Sequence, residues 1–221
     1  CSQSRGLGDV YKRQEMKSLL SNTIKIALAL IIPAAFGLII LSETIVSVIY
    51  EYGVFGSAEV NIVSTVLIGF SLGLPAYVLI RIFSSAFYSM SDTKNPLKFS
   101  LYAISINIVL SVPLFIGFGV IGIAYATSVS AWIHVIIFYK KLKELSLVFF
   151  GKDTLADIIK VLFSSAIMFL IISLLINNIN LSYPAISLVI LVMIGLLSYL
   201  ICLFLIGFYR KDDIKTFIKD F

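Results

Sequence analysis

The sequence is poor in charged residues, and it contains one histidine, two cysteines and one tryptophan. Asp, Glu, Lys and Arg make up 13% of its 221 residues, whereas a soluble domain has about a quarter. So few charges would leave large apolar patches on a globule of this size, which excludes a soluble domain. A disordered chain would need more charge and a disulfide scaffold more cysteine, so both are excluded as well.

Long uncharged stretches take the place of the missing charges, and hydrophobic residues make up 60% of the chain. These stretches hold 17 residues after Lys25, 21 after Glu59, 41 after Lys98 and 49 after Lys160. A membrane-spanning helix needs about 20 apolar residues. The first two stretches therefore fit one span each, and the last two fit two spans each.

Turn-forming residues divide the two longest stretches. The segment from Pro113 to Gly122 contains three glycines, and three asparagines precede Pro184. The sequence therefore predicts an all-α fold, a polytopic transmembrane bundle of six helices, because runs such as 24–41 lack the strict alternation of barrel strands. The expected spans are residues 20–42, 60–88, 97–117, 120–140, 156–177 and 184–208.

Lysine and arginine alternate between the two sides of this predicted bundle. None of the 17 falls in the connections near 43–59, 114–121 or 177–184. By the positive-inside rule, both ends of the chain and the connections at 90–98 and 141–155 are expected to be cytoplasmic. The net charge of +5 then indicates orientation, and no nucleic-acid partner is expected.

Arg81 is the most informative residue, because it lies in a helix otherwise free of charge. Tyr77, Ser84, Ser85 and Tyr88 share its helical face. A central charge in a span costs about 2.5–3.5 kcal/mol, so such a residue tends to face a cavity or a partner. A guanidinium there would suit an anionic substrate group. The alternative is an arginine that snorkels to the cytoplasmic surface.

Other polar residues within the predicted spans are few. Asn107 is either a substrate contact or one partner of an interhelical hydrogen bond. His134 is interpreted as an interfacial polar residue, since no serine is marked as its catalytic partner. No metal-ligand spacing and no phosphate-binding loop occur, so a non-enzymatic protein without metal or cofactor is expected.

The most distinctive stretch contains Gly73, Pro75, Asp92, Thr93 and Pro96. Asp92 can accept backbone N–H bonds in a turn, and Pro96 fits the first turn of a following helix. The stretch resembles a signature of the MurJ/MviN lipid II flippases. The matching segments are Gly73-Leu74-Pro75, Ala86-Phe87-Tyr88-Ser89 and Asp92-Thr93-Lys94-Asn95-Pro96, supported by shorter matches at 32–38, 52–55 and 122–128.

The resemblance covers about residues 15–145 and implies a fourteen-helix, MATE-like transporter of the MOP superfamily. Residues 15–145 would form four helices of the second six-helix lobe. Residues 146–221 would form two extra C-terminal helices with a cytoplasmic tail. Residues 1–14 resemble a non-native junction and are left out of the functional argument.

The resemblance also implies a function, namely flipping of lipid II across the bacterial cytoplasmic membrane by alternating access. The expected partners are this undecaprenyl-pyrophosphate-linked sugar-peptide, membrane lipid and an N-terminal lobe that the sequence does not contain. Arg81 corresponds to a basic position of the family, so Arg81, Tyr77, Tyr88 and Asn107 become the candidate substrate-binding residues. The extra helices would supply a groove for the lipid tail.

Two alternatives remain open on the residues alone. One is another MOP-type transporter, which would move oligosaccharide lipids or drugs. The other is a membrane subunit that transports nothing. Both share the helix count and the topology predicted above, so hydropathy does not separate them from a lipid II flippase.

Overall fold

The computed structural model describes residues 2–51, 53, 55–147, 152–176 and 184–208. Within them, six helical stretches are long and apolar enough to cross a membrane. They are Gln14–Ile40, Ser57–Ser89, Lys94–Phe118, Val120–Glu144, Thr154–Leu175 and Pro184–Leu205. The predicted all-α bundle with six spans is confirmed. The predicted end of the fifth span at 177 and the connection after it lie outside the described residues.

Eight helices make up this part of the chain, because one span is broken and one helix is short. They are α1 (Ser2–Ile40), α2 (Ser42–Tyr50), α3 (Ser57–Ser71), α4 (Leu74–Ser89), α5 (Lys94–Phe118), α6 (Val120–Glu144), α7 (Lys152–Leu175) and α8 (Pro184–Leu205). The second span, predicted as one helix over 60–88, consists of α3 and α4. Gly73 and Pro75 lie at this break, where proline removes a backbone donor.

Helices α1 and α6 lie at the centre of the bundle. Helix α1 packs against α3, α4 and α7, and α6 packs against α3, α4 and α5. Where α4, α5 and α6 meet, Phe83, Phe87, Phe99 and Phe138 form an aromatic cluster, with ring centroids of Phe99 and Phe138 5.3 Å apart. Edge-to-face pairs of this kind add to the stabilisation from burial. The cluster therefore fixes the C-terminal half of α4 against the rest of the bundle.

Helices α5 and α6 form a tight hairpin that depends on two glycines. Gly119 connects them with φ +62°, a backbone conformation that glycine adopts readily. Gly122 lies so close to α5 that a Cβ atom built on it would be 2.1 Å from the carbonyl oxygen of Leu114. Close backbone approach through small residues is a common way for spanning helices to pack.

The α7–α8 pair is attached to α1 by polar contacts near one end. Lys25 Nζ of α1 lies 2.6 Å from Asp157 Oδ2 of α7, and Lys160 Nζ lies 3.7 Å from Asp157 Oδ1. Lys160 also donates to the carbonyl oxygen of Gly207, just after α8. The carboxylate thus joins α1 to α7, and Lys160 extends the contacts to the residue that follows the end of α8.

A proline inside α1 creates a further attachment point for α8. Pro33 has no N–H, so the carbonyl oxygen of Ala29 loses its helical donor. The hydroxyl of Tyr199, on α8, donates to that oxygen at 2.6 Å. The freed carbonyl of α1 is thus satisfied by a side chain from the C-terminal pair, 170 residues away in sequence.

Candidate functional site

Helix α4 has one apolar face inside the bundle and one polar face outside it. The buried residues are Ala76, Leu79, Phe83, Ala86 and Phe87. The opposite side carries Tyr77, Arg81, Ser84, Ser85 and Tyr88, and we call it the Arg81 face. Arg81 is exposed, and within the described part of the chain no ion pair or hydrogen bond engages its guanidinium. The helix therefore presents a cation on a surface that the described residues leave uncovered.

Three of the four candidate substrate-binding residues come together on the Arg81 face. Tyr77 lies one turn before Arg81, and its hydroxyl is buried without a hydrogen-bond partner among the described residues. Tyr88 lies two turns after Arg81 and is 56% exposed. Because the Tyr77 hydroxyl is buried, the exposed guanidinium and the Tyr88 phenol are the groups on this face that can bind an anionic group through charge and hydrogen bonds. The substrate-binding role of Tyr77 stays a prediction.

Asn107 lies apart from this face, on α5. Its Nδ2 donates to Ser130 Oγ of α6 at 3.1 Å, and its Oδ1 accepts from Ser111 Oγ at 3.3 Å. Of the two alternatives that the sequence left open, the interhelical hydrogen bond is therefore present. The substrate-binding role of Asn107 stays a prediction.

His134 is buried, and this corrects the interpretation of an interfacial residue. Its side chain is 7% exposed, and its ring stacks on Phe138 with the centroids 4.8 Å apart. It therefore belongs to the packing around the aromatic cluster. Its position in sequence, ten residues before the end of α6, suggested the surface; its burial depends on the neighbouring helices.

The break between α3 and α4 is held by donors from α6. Ser128 Oγ donates to the carbonyl oxygen of Gly69 at 2.6 Å, and Trp132 Nε1 donates to that of Leu72 at 3.0 Å. Ser128 and Trp132 are not among the residues that the sequence singles out. The signal that could have found the need for them is Gly73-Leu74-Pro75, since a break leaves carbonyl groups that must be satisfied within hydrocarbon.

Asp92 organises the turn between α4 and α5, as its sequence context predicts. Its Oδ1 accepts the backbone N–H of Asn95 at 3.1 Å, and its Oδ2 accepts from the Asn95 side-chain amide at 2.5 Å. These hydrogen bonds, the backbone bond from Asn95 first, lower the pKa of Asp92. Pro96 is buried in the first turn of α5, and Thr93 precedes that helix without a capping hydrogen bond from its side chain.

Asp92 is expected to stabilise the folded protein at neutral pH and to lose that effect in acid. Because its pKa is lowered from 3.8, the contribution is present above that value and disappears as the pH falls through the lowered value. Unfolding temperatures in detergent between about pH 6 and 2.5 test this. Asp92→Asn should lie below the wild type at pH 6, and the difference should vanish at the acid end.

Asn95→Ala is the matched variant for this pH effect, because it removes the side-chain amide donor while leaving the backbone N–H of residue 95 and the Asp92 carboxylate in place. It should lower the unfolding temperature in the same pH range. A difference between Asp92→Asn and the wild type that stays constant with pH would contradict the assignment.

Comparison with known proteins shows which family the chain belongs to. A sequence model described as "Lipid II flippase MurJ" matches residues 7–197. The chain is 40% identical over 136 residues to a probable lipid II flippase MurJ of Rickettsia prowazekii, covering 60% of this chain and 27% of that protein. It is 32% identical over 206 residues to the lipid II flippase MurJ of Thermosipho africanus, covering 93% of this chain and 40% of that protein.

A solved structure agrees with the sequence comparisons. It is described as lipid II flippase MurJ in an inward closed conformation, and it matches with a TM-score of 0.77 at 30% identity. The match covers 88% of this chain and 40% of the solved chain. The chain described here therefore corresponds to less than half the length of each of these proteins.

Proposed function

Because the chain belongs to the lipid II flippase MurJ family, we propose that it forms part of a protein that moves lipid II across the bacterial cytoplasmic membrane. The substrate is an undecaprenyl-pyrophosphate-linked sugar-peptide. Its pyrophosphate and sugars cross through a polar cavity while the tail stays in lipid. Rocking of two lobes around that cavity exposes the site to each side of the membrane in turn.

The Arg81 face carries this proposal. It is polar, it belongs to a membrane-spanning stretch, and the described residues leave it uncovered. Leaving a guanidinium in hydrocarbon is costly, so the remaining part of the protein is expected to enclose this face in a polar cavity. The chain covers only 27% and 40% of the two relatives described above, so the family's proteins have enough additional chain to do so.

We infer the orientation of the protein from its charges. We place both ends and the turn at 90–98 in the cytoplasm, because the lysines near them obey the positive-inside rule. Arg81 then lies eight residues, or about 12 Å of helix, from the cytoplasmic end of α4 at Ser89. A substrate headgroup that enters from the cytoplasm would meet Tyr88 before Arg81.

The α7–α8 pair is suited to contact lipid. Its outer surface is apolar, with Phe163 and Leu174 on α7 and Val189 and Phe204 on α8 all more than half exposed. We propose that this surface, next to α1, guides the undecaprenyl tail. The polar contacts of the pair are on its inner side, at Asp157 and Tyr199.

Replacing Arg81 in the full-length protein tests the function. We expect Arg81→Ala to lower the rate of lipid II appearance on the outer leaflet by at least about tenfold, because one charge-assisted contact to the pyrophosphate is lost. Arg81→Lys keeps the charge but not the planar fork, and it should restore the rate only in part. The assay measures lipid II accessible outside cells at matched protein levels.

Lys98→Ala is the matched control, because it also removes one exposed cation, on a helix that does not carry the Arg81 face. Its flipping rate should equal that of the wild type. A snorkelling arginine predicts that Arg81→Lys is fully active, since lysine also reaches the surface. Full activity of both Arg81 variants would remove Arg81 from the mechanism.

A further inference from the structure

The connection between α3 and α4 leaves the backbone carbonyls of Gly69, Ser71 and Leu72 without a helical donor. Ser71 O loses its donor because Pro75, four residues later, has no N–H. The N–H of Gly73 donates to Phe70 O, three residues back, so Gly69 O loses its usual partner. The next helical bond begins at Tyr77 N, which donates to Gly73 O, so Leu72 O precedes the ladder of α4. Within a membrane, such groups need partners from the protein itself.

Helix α6 supplies partners for two of these carbonyls, those of Gly69 and Leu72, from one face. Ser128 and Trp132 are four residues apart, so they project from the same side of α6. They reach Gly69 O and Leu72 O, one on each side of the break. Ala124 lies one turn earlier on the same side of α6. It is so close to Gly69 that a Cβ atom built on Gly69 would be 2.9 Å from the Cβ atom of Ala124. The break therefore rests against a line of three α6 residues.

Gly73 makes this arrangement possible. A Cβ atom there would be 2.6 Å from Ser128 Oγ and 2.9 Å from the Tyr77 hydroxyl. Both side chains can approach the break only because the position has no side chain. The Tyr77 hydroxyl is buried beside Gly73 without a hydrogen-bond partner among the described residues. The Tyr77 hydroxyl is thus an unused hydrogen-bond donor beside the break.

We propose that the α3–α4 break is a hinge, and that Ser128 and Trp132 are positioning residues that set the direction of α4 and thereby the location of Arg81. Arg81 lies eight residues beyond Gly73, or about 12 Å of helix. A change of about 10° at the break would move its backbone by about 2 Å, enough to separate a guanidinium from a bound phosphate. When α4 changes direction and a hydrogen bond from α6 breaks, the unpartnered Tyr77 hydroxyl can donate to the carbonyl that is released.

This inference rests on the proposed function only where it concerns Arg81; the hinge itself can be measured without transport. Spin labels at Ala58→Cys in the first turn of α3 and at Ser89→Cys at the end of α4, with native cysteines removed, report the bend of the whole span. The full-length protein carries the labels, and pulsed spectroscopy measures the distance distribution between them. A straight helix would separate the two positions by about 46 Å, and any bend shortens that distance.

Ser128→Ala combined with Trp132→Phe is expected to move the mean of this distribution or add a second population. The two interhelical bonds together correspond to about a five- to tenfold change in the hinge equilibrium. Ser105→Ala is the matched control, because the Ser105 hydroxyl bonds only to its own helix, at Leu101 O. Its distribution should match the wild type. Unfolding temperature and protein level are followed in parallel, and the inference requires that they change little.

The outcomes separate this inference from the proposed function. A shifted distribution in the double variant, with slower flipping and normal protein level, supports the hinge. An unchanged distribution overturns it, even if Arg81→Ala abolishes flipping. If the double variant shifts the distribution while both Arg81 variants flip lipid II at the normal rate, the hinge is supported and the role of Arg81 in transport is contradicted. A double variant that does not accumulate is replaced by Trp132→Phe alone, with the same two readings.

Discussion

Replacing Gly122 by alanine is expected to destabilise the protein by about 1–3 kcal/mol, because the added methyl group has no space. A Cβ atom there would lie 2.1 Å from Leu114 O and 2.4 Å from Leu114 C, both of them backbone atoms. A flexible side chain could move aside at little cost, whereas a helix backbone cannot. The α5–α6 hairpin would have to open, and Asn107 would separate from Ser130.

Gly117→Ala is the matched control, because a Cβ atom at this position meets nothing within 4 Å. This glycine lies in α5, where alanine has a better helix propensity by up to about 1 kcal/mol. Thermal unfolding in detergent should therefore show a lower midpoint for Gly122→Ala and an unchanged or higher midpoint for Gly117→Ala. Equal midpoints for the two variants would mean that the hairpin is less closely packed than described.

Removal of the Asp157 carboxylate is expected to destabilise the protein by a similar amount. It contacts Lys25 of α1 at 2.6 Å and Lys160 of its own helix at 3.7 Å. Asp157→Ala would leave two half-buried cations facing each other, at a cost of about 1.5–3 kcal/mol. Since this carboxylate joins α1 to α7, the α7–α8 pair should become easier to cleave with protease in detergent.

Charge reversal distinguishes a true ion pair from local strain. The combination of Lys25→Asp with Asp157→Lys should recover part of the stability that either change alone removes, and a double-mutant cycle measures the coupling. The exposed pair of Lys141 and Glu144, both on α6, serves as a control, and Glu144→Ala should cost less than about 0.5 kcal/mol. No coupling between Lys25 and Asp157 would contradict the description of the α7–α8 attachment.

The course of the chain through the membrane could be predicted because it depends on local composition. The uncharged stretch after Lys98 and the glycines within it placed α5, α6 and their turn close to where they are found. Hydrocarbon tolerates few charges, so the ends of the spans are recorded in the sequence itself. The same argument gave the polar face of α4, since residues three and four apart share a side of a helix.

Contacts between distant helices could not be predicted in this way. The sequence offered several serines and one tryptophan, and nothing local selected Ser128 and Trp132 as partners for the α3–α4 break. His134 is buried in a helix that packs against α3, α4 and α5, and an argument from one helix alone does not include such neighbours. The second span lies where it was predicted, and Pro75 indicated a kink in it. That α6 donates to the carbonyls at the break could not be predicted from the sequence.

Through the hydrogen bond from Tyr199 to Ala29, helix α8 does for α1 what a water molecule does in soluble proteins. In an aqueous setting, a solvent molecule would hydrate the main-chain oxygen that Pro33 leaves bare. The acyl chains of a bilayer offer no such molecule, and the Tyr199 hydroxyl of α8 donates the hydrogen bond instead. Helix α1 can keep its proline within lipid because α8 satisfies the carbonyl that the proline leaves unpaired. A truncation before α8 would therefore remove this hydrogen bond from α1 as well as its packing against α8.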